Sequence, residues 1–252
     1  MSNQIIFYDV SIQSSVRANK GYAPNTLPVR YALNYKKLPY KTVWIEYHEI
    51  EPVAKKLGAK GTRFKPNGDP WYTVPLIHDR STGVVMSESS DIVQYLDKQY
   101  PSSPRVITPG TLAFETAYYR YFQTGVMAKW PGPIHQYLYE TISPEAAAFI
   151  KGLREAALGD TLVNIAKDPQ SHWDAYKDAL SRVALPVYEK AEGIFLKGNQ
   201  PGWADFVTAS ALLSIKLLYG ADSKEWKYIE TWDNGRWTKL IKDLEPYAHI
   251  DE

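Results

Sequence analysis

The sequence predicts an α/β domain over residues 1–100 and an all-α helical bundle over residues 111–252, with a linker at 101–110. Three observations predict it. Short apolar, strand-like runs alternate with helical periodicity through the first hundred residues. A stretch rich in Pro and Ser, Tyr100 to Gly110, then interrupts the pattern. Beyond it the periodic segments read as helices, and Ala204 to Leu218 is apolar on nearly all sides, as a central bundle helix should be.

The elements follow in order. Ile5 to Val10 is an apolar run that reads as a strand. Ser11 to Gly21 is polar and reads as a loop. In Ala23-Pro24-Asn25-Thr26-Leu27-Pro28, Asn25 or Thr26 can cap a helix whose first turn tolerates Pro28. Val43, Ile45 and Tyr47 alternate with Trp44 and Glu46, which predicts a second strand. Glu51 to Leu57 suits one or two helical turns, and Gly58 to Pro70, with its Gly and Pro residues, predicts a long loop. Val74 to Asp79 and Val84 to Met86 predict two strands about the turn Arg80-Ser81-Thr82-Gly83. Ser87 to Asp91 then opens a helix carrying Ile92, Tyr95 and Leu96 on one face. Strand, helix, strand, irregular helix, strand, strand, helix is the thioredoxin-like layout.

Composition narrows the function. The 252 residues carry a formal net charge of +1, with no basic excess for nucleic acid and no polybasic run for a membrane surface. No apolar stretch is long enough for a transmembrane helix. Met1 to Asp9 lacks the basic and apolar regions of a signal peptide, so a cytoplasmic location is expected. Without cysteine there is no disulfide, thiolate metal site or cysteine nucleophile, and no metal is expected. Eight Trp and nineteen Tyr suit a rich core or an aromatic-lined pocket.

Three local patterns share one possible ligand. The turn at Ala23 to Arg30 puts unpaired N–H groups and a positive dipole end where a thiolate can sit. Val74-Pro75 begins a strand, and a cis bond there would turn the Val74 backbone outward to pair with a peptide-like ligand. Glu88-Ser89 lies at a helix N-terminus, where the hydroxyl and free N–H groups can hold a carboxylate and Glu88 an ammonium. Thiolate site, backbone-pairing edge and amino-acid clamp together describe glutathione. Singly, each pattern is an ordinary strand start or helix cap.

Over its whole length the chain resembles the glutathione transferase superfamily. Val74-Pro75-Leu76, Glu88-Ser89, Ile92 and Tyr95-Leu96 resemble that family's glutathione-site signature. Ala204-Asp205-Phe206 with Ala209-Ser210 resembles the buried helix of its C-terminal domain, where the Asp belongs to an N-capping box. Gly202 stands where the family has Ser or Thr, a change costing a few tenths of a kcal/mol. The segments Ala23 to Tyr35 and Pro39 to Tyr47 resemble the fungal FuA class, which is similar to bacterial lignin β-etherases and is associated with wood-decay fungi. The resemblance implies a homodimer, glutathione as cosubstrate, and small aromatic, polyphenol-like ligands.

The departure is Ala23, because related classes place a Ser or Cys there, facing the glutathione sulfur. A free thiol has a pKa of roughly 8.5, and lowering it by two units takes about 2.7 kcal/mol. A helix N-terminus supplies about 0.3–1 kcal/mol when exposed and up to about 2 when partly buried. Asn25 and Thr26 are therefore the candidate catalytic replacements, with plain capping as their alternative; Tyr22, Ser14 and Ser15 follow if the loop folds back. Val74, Pro75, Glu88 and Ser89 are the candidate glutathione-binding residues. The glycine carboxylate needs a cation, and Lys55, Lys56, Arg63 and Lys65 are candidates. Tyr22, Tyr118, Tyr121, Phe122 and Met127 are the candidate hydrophobic-ligand residues, with Tyr118, Tyr121 and Phe122 expected on one helix face and Tyr119 elsewhere. The loop Lys20 to Tyr22 can close the mouth. Two functions fit: a transferase that conjugates or reduces electrophiles in detoxification, or a ligandin that holds aromatic compounds without efficient chemistry.

Overall fold

The structure is a computed structural model that describes residues 4–11, 21–65 and 67–250. Ser14, Ser15 and Lys20 lie outside the described residues. The N-terminal part runs β1 (Ile5–Val10), α1 (Leu27–Tyr35), β2 (Tyr40–Ile45), α2 (Ile50–Lys56), β3 (Arg63–Phe64), β4 (Pro70–Trp71), β5 (Leu76–Asp79), β6 (Val84–Ser87) and α3 (Ser89–Gln99). Four strands form a sheet in the order β2-β1-β5-β6. β1 pairs parallel to β2, with Ile5 opposite Tyr40. It pairs antiparallel to β5, with Phe7 opposite Ile77, and β6 adds antiparallel to β5. The parallel pair needs a crossover, which α1 supplies. This is a thioredoxin-like sheet with its helices.

β1 matches the sequence reading, whereas β2 is displaced: it starts at Tyr40, ahead of the expected Val43, and ends at Ile45. Tyr47 leaves the strand for a 3-10 turn (Tyr47–Glu49), because Glu49 reaches back to accept from the Glu46 amide at 2.8 Å and starts a helical turn there. Gly58 to Pro70, expected as loop, contains β3, and Arg63 pairs with Trp71 and Phe64 with Pro70 in a small hairpin. The strands are two residues long, below what period-2 alternation can reveal.

The helical part runs α4 (Leu112–Gly125), α5 (Gly132–Thr141), α6 (Pro144–Leu158), α7 (Leu162–Ile165), α8 (Pro169–Val183), α9 (Leu185–Tyr188), α10 (Trp203–Tyr219), α11 (Lys224–Glu230) and α12 (Arg236–Leu244). α10 is buried on nearly all sides, as its composition dictates. Its N-terminus is held by two carboxylates. Asp205 accepts from the Gly202 and Leu196 amides at 2.8 and 3.0 Å, and Glu115 of α4 accepts from the Ala204 amide at 3.0 Å. Gly202 offers no side chain, so the cap is built from α4 instead.

The two parts share one apolar core. α1 is buried from Leu27 to Asn34 and packs on α10, with Tyr31 stacked on Phe206 at 5.4 Å between ring centroids. The Asp9–Arg30 ion pair, 2.8 Å, is buried between β1 and α1, and Arg30 also donates to Thr42. A second buried pair fixes the linker. Lys36 Nζ lies 2.8 Å from Asp97 and donates to the Pro104 carbonyl, while Asp97 accepts from the Val106 and Ile107 amides at 3.1 and 2.8 Å.

Candidate functional site

A cleft opens where the N-terminus of α1, the start of α3 and one face of α4 meet. Pro24, Asn25, Pro28 and Ser89 form its N-terminal wall. Tyr119, Phe122 and Gln123 of α4, with Met127 of the 3-10 turn that follows it, form the opposite wall, and Val207 and Ala211 of α10 close the floor.

The α1 turn is set by Ala23. Its carbonyl accepts from the Thr26 and Leu27 amides, each at 3.1 Å, and from the Thr26 hydroxyl at 3.1 Å. Thr26 is fully buried, so its hydroxyl is spent inside the turn and faces away from the cleft. Neither Asn25 nor Thr26 makes a side-chain cap to α1. Asn25 is exposed, and its side-chain amide donates to the Val74 carbonyl. The Val74–Pro75 bond is cis. Asn25 and the strand start at Val74 are thus in contact.

Glu88 and Ser89 stand at the start of α3. Glu88 has φ +78° and ψ +112°, a conformation that disfavours a residue with a Cβ. The Tyr119 hydroxyl lies 3.4 Å from Glu88 Oε1 and 3.4 Å from Ser89 Oγ, so α4 reaches the start of α3. Burial first, and then the Glu88 carboxylate, push the Tyr119 phenol up, with the Arg63 guanidinium opposing them. Tyr119 therefore holds its proton more firmly than a free phenol. Of the four candidate cations, Lys55 and Lys65 both pair with Glu51 at 2.7 Å, while Arg63 bears electrostatically on Tyr119.

The aromatic residues sort differently from the expectation. Phe122 and Met127 line the cleft. Tyr118 does not: it is buried, stacks on Phe122 and shares a 2.7 Å hydrogen bond with Thr208 of α10. Tyr121 is 53% exposed, so it and Tyr118 do not share a face. Tyr22 is buried, its hydroxyl 2.5 Å from that of Tyr47, and it is not in the cleft wall. Tyr119, read as pointing elsewhere, is the tyrosine that faces the site. The missed signal was the i, i+4, i+8 spacing of Tyr119, Gln123 and Met127, which follows one side of α4 into the 3-10 turn beyond it. An aromatic count favoured the wrong row.

Among the described residues there is no cluster of His, Cys, Asp and Glu suited to a metal ion, and no helix is long and apolar enough to cross a membrane.

A thioredoxin-like sheet, a helical bundle and a cleft between them define the class, and the comparisons agree. Residues 22–99 match the glutathione S-transferase N-terminal domain and residues 113–247 the glutathione S-transferase C-terminal domain. The chain belongs to the glutathione S-transferase family. It is similar to the glutathione S-transferase CsGST63524 of Ceriporiopsis subvermispora, solved in complex with glutathione: 33% identity, TM-score 0.93, covering 99% of this chain and 100% of that one. It is similar to glutathione transferase GSTFuA3 of Phanerochaete chrysosporium at 31% identity and TM-score 0.91, covering 99% of both chains. A curated relative, the glutathione S-transferase-like protein ustS of Aspergillus flavus, is 24% identical over 93% of this chain and 87% of its own length.

Proposed function

We propose that the chain is a cytoplasmic glutathione transferase that binds glutathione in the cleft and small aromatic compounds beside it, conjugating or reducing electrophiles in detoxification. The observation that carries this reading is that Asn25 and Ser89 line one cleft, with Val74 bonded to Asn25 and Glu88 beside Tyr119 at its edge. Glutathione fits with its cysteinyl backbone on Val74 beside Pro75, its γ-glutamyl end on Glu88 and Ser89, and its sulfur at the α1 turn. The complex of CsGST63524 with glutathione supports the ligand.

Asn25 supplies what Ala23 lacks. Its amide donates to the Val74 carbonyl. When the ligand's peptide N–H takes that oxygen, Asn25 is released and its N–H turns to the sulfur. A hydrogen bond to a charged group contributes about 1.5–3 kcal/mol, which with the helix N-terminus meets the roughly 2.7 kcal/mol needed for a two-unit shift. Thr26 supports the turn that aims it.

The apolar walls Phe122, Met127, Val207 and Ala211 support an aromatic second ligand. A ligandin that holds such compounds with little turnover is the second reading, motivated by the missing hydroxyl or thiol at Ala23. A homodimer belongs to the same proposal, and Phe64 on β3, 76% exposed, with Phe114 and Tyr121 on α4, is apolar surface that a second copy would cover.

The test is the thiol pKa of bound glutathione, from thiolate absorbance against pH in wild type, Ala23→Ser and Asn25→Ala. The transferase reading expects a depressed value in wild type that Asn25→Ala returns toward roughly 8.5. An unshifted wild-type value, depressed only in Ala23→Ser, would leave the ligandin.

A further inference from the structure

We infer that Tyr119 of α4 is a glutathione-positioning residue: its hydroxyl donates to the α-carboxylate of the γ-glutamyl end and so completes, from the helical domain, a clamp otherwise built by the start of α3. The inference rests on the glutathione reading above.

An amino-acid end group presents a carboxylate and an ammonium on one carbon, so its clamp needs donors beside an acceptor. Ser89 Oγ and the free N–H groups of the first turn of α3 are donors. Glu88 is the acceptor. The Tyr119 hydroxyl sits between them, 3.4 Å from each side-chain oxygen, at the long limit of a hydrogen bond. Neither contact is a good bond, so the hydroxyl gives up little on turning to a carboxylate. Its phenol is held neutral by burial, so it has a proton to donate. Its ring is held in place: Tyr119 packs on Trp203, the first residue of α10, with ring centroids 5.7 Å apart, and Trp203 is 1% exposed. A rigid ring carrying one loosely bonded hydroxyl beside Glu88 and Ser89 is a positioned donor, and not a core tyrosine of the kind that Tyr118 is, with its 2.7 Å bond to Thr208.

The chemistry is selective. With Glu88 taking the ammonium, the Tyr119 and Ser89 hydroxyls face the carboxylate. Losing Tyr119's hydroxyl should therefore matter only to ligands that carry that carboxylate.

The experiment compares wild type and Tyr119→Phe for three ligands by calorimetry, with competition against glutathione for weak binding. The ligands are glutathione, glutaryl-Cys-Gly, which keeps the carboxylate but lacks the amine, and 4-aminobutyryl-Cys-Gly, which keeps the amine but lacks the carboxylate. Tyr119→Phe preserves the ring on Trp203, and a melting curve checks the fold. The expected result is a loss of about tenfold or more for glutathione and glutaryl-Cys-Gly, with 4-aminobutyryl-Cys-Gly bound equally by both proteins. An unchanged glutathione affinity, or an equal loss for all three ligands, overturns the inference and leaves Tyr119 as packing. Wild type that binds no glutathione overturns the reading beneath it as well.

Discussion

At the scale of single residues, Glu88 shows a conflict between stability and site. Its backbone sits at φ +78° and ψ +112°, which costs on the order of 1–3 kcal/mol for a residue with a Cβ. Glycine would release that strain and lose roughly 0.5–1 kcal/mol through its own chain entropy. Glu88→Gly is therefore expected to be as stable as wild type or about 1 kcal/mol more so in urea unfolding, while glutathione affinity falls at least tenfold. A variant less stable than wild type would refute the strain argument. The juxtaposition of Asn25, Val74, Glu88 and Ser89 was legible in the sequence, because each lies at a local landmark: a helix start, an X-Pro strand start, a second helix start. Tyr119 was not, because its role depends on which side of α4 meets α10. Tyr118 looked equally suitable by composition, and a 2.7 Å bond to Thr208, 90 positions away, decides between them.

At the scale of elements, α10 was readable from its apolar composition and from Asp205 three residues after Gly202. Its second cap was not, since Glu115 comes from a different helix. That carboxylate is buried, and burial pushes its pKa to about 7, the Ala204 amide and Lys197 only partly opposing. Burial likewise raises Asp205 to about 6 against its two amide donors. The sign follows: a carboxyl that holds its proton more tightly when folded than its ordinary value of 4.5 contributes fully below pH 4.5 and loses that contribution as pH rises through 7. Compared with Glu115→Gln, which cannot ionise, wild type should lose about 3 kcal/mol of relative stability between pH 4.5 and 7.5. Thermal melts of both proteins across that range check it, and a pH-independent difference between them would contradict it. The β3–β4 hairpin was hidden for another reason: two-residue strands among Gly and Pro carry no pattern, and only their pairing defines them.

For the whole molecule, the buried contacts between the two parts predict how it unfolds. Lys36 and Asp97 are a buried ion pair with three further bonds to the linker: Lys36 donates to the Pro104 carbonyl, and Asp97 accepts from the Val106 and Ile107 amides, 9 and 10 positions beyond it. Removing one partner leaves a buried charge, which costs about 3–5 kcal/mol. Asp97→Ala should lose that much in denaturant unfolding. Because the core is continuous from β1 to α12, calorimetry should still give one transition for wild type and variant. Two separated transitions would show that the halves unfold independently. The order of strands and helices made this architecture legible, whereas the burial of Lys36, a residue that composition alone would put in water, was not.

The seating of α1 on α10 has a consequence for how the protein can change its ligands. The helix that carries the Asn25 turn at one end is buried along eight consecutive residues and stacks on the central helix of the other domain. The two halves are therefore keyed together at the base of the cleft and cannot swing apart there like a hinge without breaking the shared core. A bulkier guest must be admitted at the rim, through Gln123, Met127 and their neighbours. On the proposed reading, ligand range would change by exchanging a few wall side chains, one at a time, on a frame that stays still.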